Sequence, residues 1–383
     1  MPLKDPTPRE RLLTTLSGER PDRPPVSPFV QDEYLAWYYP DKAAVDRVTD
    51  AKALADELDF DLIAKPKLYE KPYYLRHSLP GWALSRSQHH EGSNLVDVLE
   101  ITTPGGVLRE EAVGPDAGTA SAGIHKAVRK HLLDSEEARE RFRRYLPEPT
   151  PEIFDAIRAQ AREWRAVMGE RGVLAPWGPG GVFNLACELC GIEDLVMAPY
   201  DDEDEYEEFM GWLTDSILPE ARVLAASGVE CVGIQGNMAN AAVMSADFFH
   251  EHVQPHEQRY IDALHGEGAY TVYHNCGHAR RFYPLYREMG MTVWETVSPP
   301  PQGDNDLAEA KAAVGDRLCL LGNLDQIDFL KTASPADVAR ATRRLLEIGS
   351  PGGRYIFSTS DFLEKNTPLE NVRAMIDTAR QGL

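Results

Sequence analysis

The sequence is poor in positive charge, in cysteine and in long apolar runs, and each shortage excludes a class of function. Its 383 residues carry 40 Lys and Arg against 61 Asp and Glu, a formal charge of −21. No dense basic patch interrupts that acidity, so neither nucleic acid nor an anionic membrane surface is expected as a partner. The charge suits a soluble, cytoplasmic protein that resists association through like-charge repulsion. No apolar run reaches the roughly 18 residues that mark a membrane span. The opening MPLKDPTPRERLL has no apolar stretch of the kind a secretory leader needs. The five cysteines, Cys187, Cys190, Cys231, Cys276 and Cys319, are odd in number and scattered. Such a set fits a reducing compartment and no disulfide framework. Cys187 and Cys190 form a lone C-x-x-C without the second pair of a structural zinc site, and their helical surroundings read as core packing. There is no internal repeat and no low-complexity tract. Oligomeric state stays open.

What the sequence does have is a 43 % hydrophobic content, enough for a large core, arranged around eight short β-rich runs. These are Val26–Val30, Asp61–Lys65, Val173–Trp177, Val229–Gln235, Ala269–His274, Met291–Thr296, Leu318–Asn323 and Arg354–Thr359. Amphipathic helical stretches separate most of them. DEYEEFMGWLTDSILPEARVLAASG repeats apolar residues every three or four positions and ends at Gly228. In SPADVARATRRLLEIGSPGG, Ser334 caps, Pro335 takes the first helical position and Gly349 closes. Strands alternating with helices imply a parallel sheet. Eight such units predict a (β/α)8 TIM barrel, one domain over residues 1–383.

One connection breaks the rhythm. Residues 66–172, between the second and third runs, are too many for a structureless loop. They hold a hairpin-like NLVDVLEITTPGGVLREEA, turning at Pro104-Gly105-Gly106, and two helical pieces, DSEEARERFRRYL and PEIFDAIRAQAREWRAVMGERG. The expectation is an insertion at the barrel mouth, able to cover a substrate. The acidic run Asp201–Glu208 reads as a helix start with a solvated face.

In such barrels the chemistry sits at the C-terminal ends of the strands. Here those ends offer Gln31, Lys65, Trp177, Gln235, Asn237, His274, Cys276, Glu295, Asn323, Ser358 and Asp361. Polar residues at the end of so many apolar strands look like the lining of one pocket. In TVYHNCGH, His274 and Cys276 stand two apart, so an extended segment turns both to one face. Imidazole nitrogen with thiolate suits zinc, and a catalytic zinc takes about three protein ligands and keeps a position open. The third ligand must come from another strand end, where Asp361 and Glu295 are the available carboxylates. Either also reads as a base, and Glu295 as a partner for a substrate cation or as half of an ion pair with a lysine or arginine. Gln235 and Asn237 read as hydrogen-bonding groups for substrate, Asn237 equally as a turn-former. Trp177 and Asn323 complete the expected lining. His278 reads as a helix-start residue, and Asp304 and Asp306 as loop and cap residues. Gly178, Gly180 and Gly181 lack the spacing of a phosphate loop and read as a plain turn. Cys231 and Cys319, inside apolar strands, read as packing.

Several segments carry a resemblance to a known family. They are RERLLTTLSGERPDRPPVSPF, TTPGGVLREEA, ACELCGIEDLVMAPYDDEDEYEEFM, YHNCGH, PPPQGDNDLAEAKAAVGDRLCLLGNLD and TPLENVRAMI, in that order. Together they resemble the uroporphyrinogen decarboxylase superfamily over nearly the whole chain, and within it the branch of corrinoid-dependent methyltransferases. The decarboxylases carry an arginine-bearing P-x-W-x-M-R-Q-A-G-R-Y segment near the first strand. Here PPVSPFVQDEYLAWYYP stands without those arginines, which speaks against a porphyrinogen substrate. The methyltransferase branch carries H-x-C on one strand and a further Cys near the last, all ligating zinc. His274 and Cys276 match the first part, whereas Ser360-Asp361 stands where the last Cys belongs. The resemblance implies zinc held by His274, Cys276 and a third group, Asp361 or Glu295. It implies transfer of a methyl group between a small methylated substrate and a corrinoid (cobalamin) supplied on a partner protein. A carboxylate in place of thiolate hardens the metal towards oxygen, so an O- or N-methylated substrate is expected. The alternatives are a metal-free decarboxylase or lyase acting on a small carboxylic acid, and a non-catalytic barrel that binds a corrinoid or tetrapyrrole.

Overall fold

The computed structural model describes residues 5–115 and 126–382; the first four residues of the MPLKDPTPRERLL opening lie outside them. After a helix over Pro8–Leu16, strand β1 (Leu62–Ala64) leads to β2 (Ala83–Glu91), β3 (Asn94–Thr103), β4 (Gly106–Pro115) and β5 (Ala127–Lys130). Then come β6 (Gly172–Leu174), β7 (Cys231–Gln235), β8 (Tyr270–His274), β9 (Val293–Thr296), β10 (Cys319–Leu324) and β11 (Tyr355–Thr359). β7 to β11 form one parallel ladder in chain order, and β1 pairs in parallel with β6. Two short links close these pieces into a ring. Beyond β6, Trp177 bridges Gly233 of β7, and the Gly178 N–H donates to the Gly233 carbonyl at 2.9 Å. Val26 bridges Phe357 of β11, while the Asp61 N–H donates to the Val26 carbonyl at 2.7 Å. The fold is a (β/α)8 TIM barrel.

Two of the expected strands are shorter than their apolar runs. Val26–Val30 makes a single bridge, and Val173–Trp177 is regular strand only as far as Leu174. Pro25, Pro28 and Pro176 have no N–H to give to a ladder. Side chains take over instead. Ser27 Oγ accepts the Ile63 N–H at 3.2 Å, and Thr359 Oγ1 accepts the Phe29 N–H at 3.3 Å.

The barrel interior fixes where the site must be. Ile63, Val173, Cys231, Val272, Val293, Leu321 and Ile356 share one apolar cluster, closed below by Leu12 and Leu16 of the first helix. Side chains of a strand alternate between faces, so residues at even steps beyond these line the same interior. Those residues are Lys65, Trp177, Gln235, His274, Glu295, Asn323 and Ser358. The polar strand ends are therefore the top layer of the barrel core. Cys231 and Cys319 lie in the apolar layers beneath them.

The described residues between 66 and 172 build a four-stranded antiparallel sheet in the order β2–β3–β4–β5, followed by helices Glu136–Tyr145 and Pro151–Met168. β2 is almost wholly exposed and reads ALSRSQHHE, so no apolar alternation announced it. Glu220, on the helix Glu203–Ala225, ties the start of this segment to the barrel. It accepts the Tyr73 N–H at 2.7 Å and pairs with Arg76. Gln235, at the end of β7, donates to Glu70 of the same segment at 2.7 Å. Among the described residues, no helix is long and apolar enough to cross a membrane.

Glu257, on the helix Gln254–Gly266, gives the fold a pH dependence. Its side chain is fully buried; Oε1 accepts the Phe183 N–H at 3.0 Å, and Oε2 has no hydrogen-bond partner among the described residues. Burial raises its pKa from 4.5 to about 7. Between those values the folded chain holds a proton that the unfolded chain has lost. Stability is then complete below the unfolded value and falls as pH rises through the folded one, by about 3 kcal/mol. Glu257→Gln is expected to flatten this part of the profile, read as urea midpoints at about pH 5 and about pH 8. An unchanged slope would contradict it.

Candidate metal centre

His274, Cys276 and Asp361 each bring a ligand atom to within 4.8 Å of the other two. His274 closes β8, and Cys276 follows it by two residues. Asp361 arrives from the loop after β11, three strands round the barrel. That loop is held in place: the Asp361 N–H and the Ser360 hydroxyl both donate to Gln326 Oε1, at 3.2 and 2.7 Å. Asp361 Oδ1 accepts the Phe362 N–H at 2.7 Å.

Behind His274 lies a charged chain. His274 Nδ1 is 2.9 Å from Glu295 Oε2, and Glu295 Oε1 is in ion-pair contact with the Lys65 ammonium. The Lys65 and Glu295 side chains are each 1 % exposed. Lys65 Nζ lies 3.7 Å from the Phe29 ring centroid and 5.4 Å from that of Trp177. The same two rings meet His274 edge-on, at 5.8 and 5.6 Å. Imidazole and ammonium thus share an aromatic enclosure that excludes water from one side.

Burial lowers the His274 pKa to about 4, against an opposing pull from Asp361. The ring is neutral at pH 7 and has a lone pair to give. Burial, with Asp361 beside it, raises the Cys276 thiol to about 12. A metal ion binding there must displace that proton, so uptake strengthens as pH rises. Burial also draws the Lys65 ammonium well below its ordinary value, while the Glu295 carboxylate in contact with it favours the charged form. The backbone after Glu295 is strained. Thr296 and Val297, both β-branched, have φ of 93° and 46°. Such conformations cost on the order of 1–3 kcal/mol each and concentrate at functional sites. Thr296 Oγ1 donates to the Asn275 carbonyl at 2.8 Å and Asn323 Nδ2 to the Val297 carbonyl at 3.2 Å, which hold the bend.

The remaining sequence-predicted residues divide. Trp177 packs on His274, and Asn323 lines the interior with its Oδ1 unpartnered among the described residues. Gln235 turns to Glu70 of the insertion. Asn237 stands in a turn and accepts from Asn184 Nδ2 at 2.7 Å; none of its hydrogen bonds reaches His274, Cys276 or Asp361. His278 is exposed, Asp304 receives the Ala279 N–H at 2.8 Å, and Asp306 caps a helix. Glycine at 181 answers to packing, since a Cβ there would lie 1.9 Å from the Gln235 carbonyl oxygen. Two residues had been given no role. Lys65 was visible as a strand end without a partner, and Phe29 sits in the proline-broken first run.

Nitrogen, sulfur and carboxylate oxygen from three residues, facing one point at a barrel mouth, is a donor set that fits zinc with a position left open. Similar proteins point the same way in fold. A methylated-thiol–coenzyme M methyltransferase of Methanosarcina mazei is 23 % identical over 199 residues, 52 % of this chain and 51 % of that protein. That match spans about half the relative's length. A methylcobamide:CoM methyltransferase of Methanosarcina acetivorans is 20 % identical over 98 % of both chains. The solved structure of a methyltransferase from Methanosarcina mazei superposes with a TM-score of 0.66 at 16 % identity, covering 98 % of this chain and 99 % of that one. The sequence model of the uroporphyrinogen decarboxylase (URO-D) family matches residues 121–382, which include β7 to β11 and all three converging side chains, and the chain belongs to that family.

Proposed function

We propose that this chain moves a methyl group between a small O- or N-methylated substrate and a corrinoid carried by a partner protein, at a zinc ion held by His274, Cys276 and Asp361. The observation that carries this reading is the convergence of those three side chains to within 4.8 Å at the top of the barrel. The names of two relatives, both methyltransferases and one of them acting on methylcobamide, add support.

Zinc bound there supplies Lewis acidity to the substrate heteroatom that carries the methyl group. The chain's own residues do the rest. Glu295 occupies His274 Nδ1 and so leaves Nε2 as the ligating nitrogen. Cys276 gives up its proton on metal uptake. Asp361 puts a hard oxygen where the related branch has sulfur, which favours oxygen or nitrogen substrates. Phe29 and Trp177 keep water from the imidazole. Asn323 offers its Oδ1, unpartnered among the described residues, and Gln235, whose amide nitrogen goes to Glu70, its amide oxygen, to orient the substrate. Residues 66–172 wall one side of the mouth through the Glu70–Gln235 contact.

The test is an anaerobic assay with free cob(I)alamin and a panel of small O-, N- and S-methylated compounds, followed by the methylcobalamin absorbance. Methylcobalamin should form from an O- or N-methylated compound faster than from any thioether. A preference for thioethers overturns the substrate class. No methyl transfer from any compound, together with loss of CO2 from a small acid, would replace the reading with metal-free lyase chemistry.

A further inference from the structure

The sheet built between residues 66 and 172 ends in two unlike edges. β5, on one side, carries protections against pairing with another chain. It is four residues long, it ends in Arg129 and Lys130, and its register on β4 shifts between Glu111 and Ala112. β2, on the other side, is nine residues long, holds no proline and keeps an unbroken register with β3 from Ala83 to Glu91. All of its residues except Leu84 are exposed. We propose that β2 is a contact between two copies of this chain, which pair it antiparallel about a two-fold axis at Ser87 and join their two four-stranded sheets into one.

The backbone supplies the bonds. Ser78 Oγ accepts the Leu84 N–H at 2.9 Å, so that N–H points away from β3. Backbone groups along an antiparallel ladder alternate in direction, and those of Arg86 and Gln88 therefore also point outward. Among the described residues β2 is the outermost strand, so these groups have no further strand to join. In the proposed register Arg86 lies opposite the partner's Gln88, and Gln88 opposite the partner's Arg86. Each such pair exchanges two N–H···O bonds. Ser87 meets the partner's Ser87 between them, at the kind of pair where opposed side chains come closest.

Charge selects a second copy as the occupant. The chain carries −21, which repels another copy over most of its surface. Residues 83–90 hold no Asp or Glu. Arg86 lays its guanidinium on the Leu75 carbonyl at 2.8 Å and meets a neutral glutamine across the axis. No like charges then stand directly opposite each other. A basic strand from another protein would find no carboxylate along residues 83–90 to receive it. The contact is narrow and polar, so association belongs in the range of roughly 1–100 µM and not among tight dimers.

The test is sedimentation velocity of the full-length protein at low salt, from about 1 to about 200 µM. Wild type should pass from monomer to dimer across that range. Ser87 stands on the axis, so Ser87→Asp and Ser87→Lys each set like charges opposite one another, and each should raise the midpoint about 5-fold or more. Mixed in equal amounts, the two variants set Asp against Lys and should regain the dimer. An unchanged urea midpoint in each variant shows that its fold is intact. Wild type that stays monomeric throughout overturns the proposal and leaves the edge to a strand of another protein. A dimer that both single variants retain, or that the mixture fails to restore, also overturns it, because the axis then does not pass through Ser87. None of these outcomes depends on the metal reading.

Discussion

His274→Ala is expected to abolish methyl transfer and to release the metal under conditions where wild type retains it. In the proposed site the imidazole is a ligand and not an outer partner, so the loss of affinity should exceed the roughly 10–100-fold typical of outer-partner changes. Its position leaves no substitute. Glu295 is engaged by Lys65, and Trp177 and Phe29 fill the space around the ring. Alanine leaves two donors, Cys276 and Asp361, and the thiol there is raised to about 12. A metal held by fewer ligands has less with which to displace that proton. Equilibrium dialysis against a zinc chelator would measure the change. An affinity within a few-fold of wild type would remove His274 from the site.

The second large effect lies at the opposite end of the barrel, where Asp61 is 0 % exposed. It accepts from Arg11 Nη1 at 2.7 Å, Arg23 Nη1 at 2.8 Å and the Val26 N–H at 2.9 Å. These bonds join the first helix, the Pro24–Ser27 segment and β1, and so hold the ring shut where prolines interrupt the ladder. Asp61→Ala leaves two guanidinium groups and a backbone N–H short of an acceptor. Removing one partner from a buried ion-pair network costs about 3–5 kcal/mol. The fall should be read as a lower denaturant midpoint with an unchanged slope. A loss below about 1 kcal/mol would mean that the network is worth no more than surface pairs.

The parts of this molecule that sequence reading reached are those governed by short-range pattern. Val272 and His274, Val293 and Glu295, or Ile63 and Lys65 differ by two positions, so an apolar strand names the face on which its last residue sits. That is why the polar top layer could be seen without coordinates. The helix over Pro335–Gly349 was legible from its cap, and the structure has Ser334 accepting the Asp337 N–H at 3.3 Å. What escaped depends on contacts between distant segments. No spacing says that Glu295 turns to His274 and Lys65, or which of the two candidate carboxylates, Asp361 or Glu295, joins His274 and Cys276. Asn237 was read as a substrate group or a turn residue, and its partner Asn184 is 53 positions away. β2 is held by its ladder to β3 and buries almost nothing, so it left no apolar trace. The first barrel run misled in the other direction, because its apolar residues suggested a strand that its prolines forbid.

The central claim is that His274, Cys276 and Asp361 hold one zinc ion, and X-ray absorption at the zinc edge tests it most directly. The protein as purified, without added metal, should contain about one zinc per chain. Its spectrum should show a single sulfur at about 2.3 Å and nitrogen or oxygen ligands at about 2.0–2.2 Å. A protein that takes up no zinc even when it is offered, or a shell with no sulfur or with two, would contradict the account.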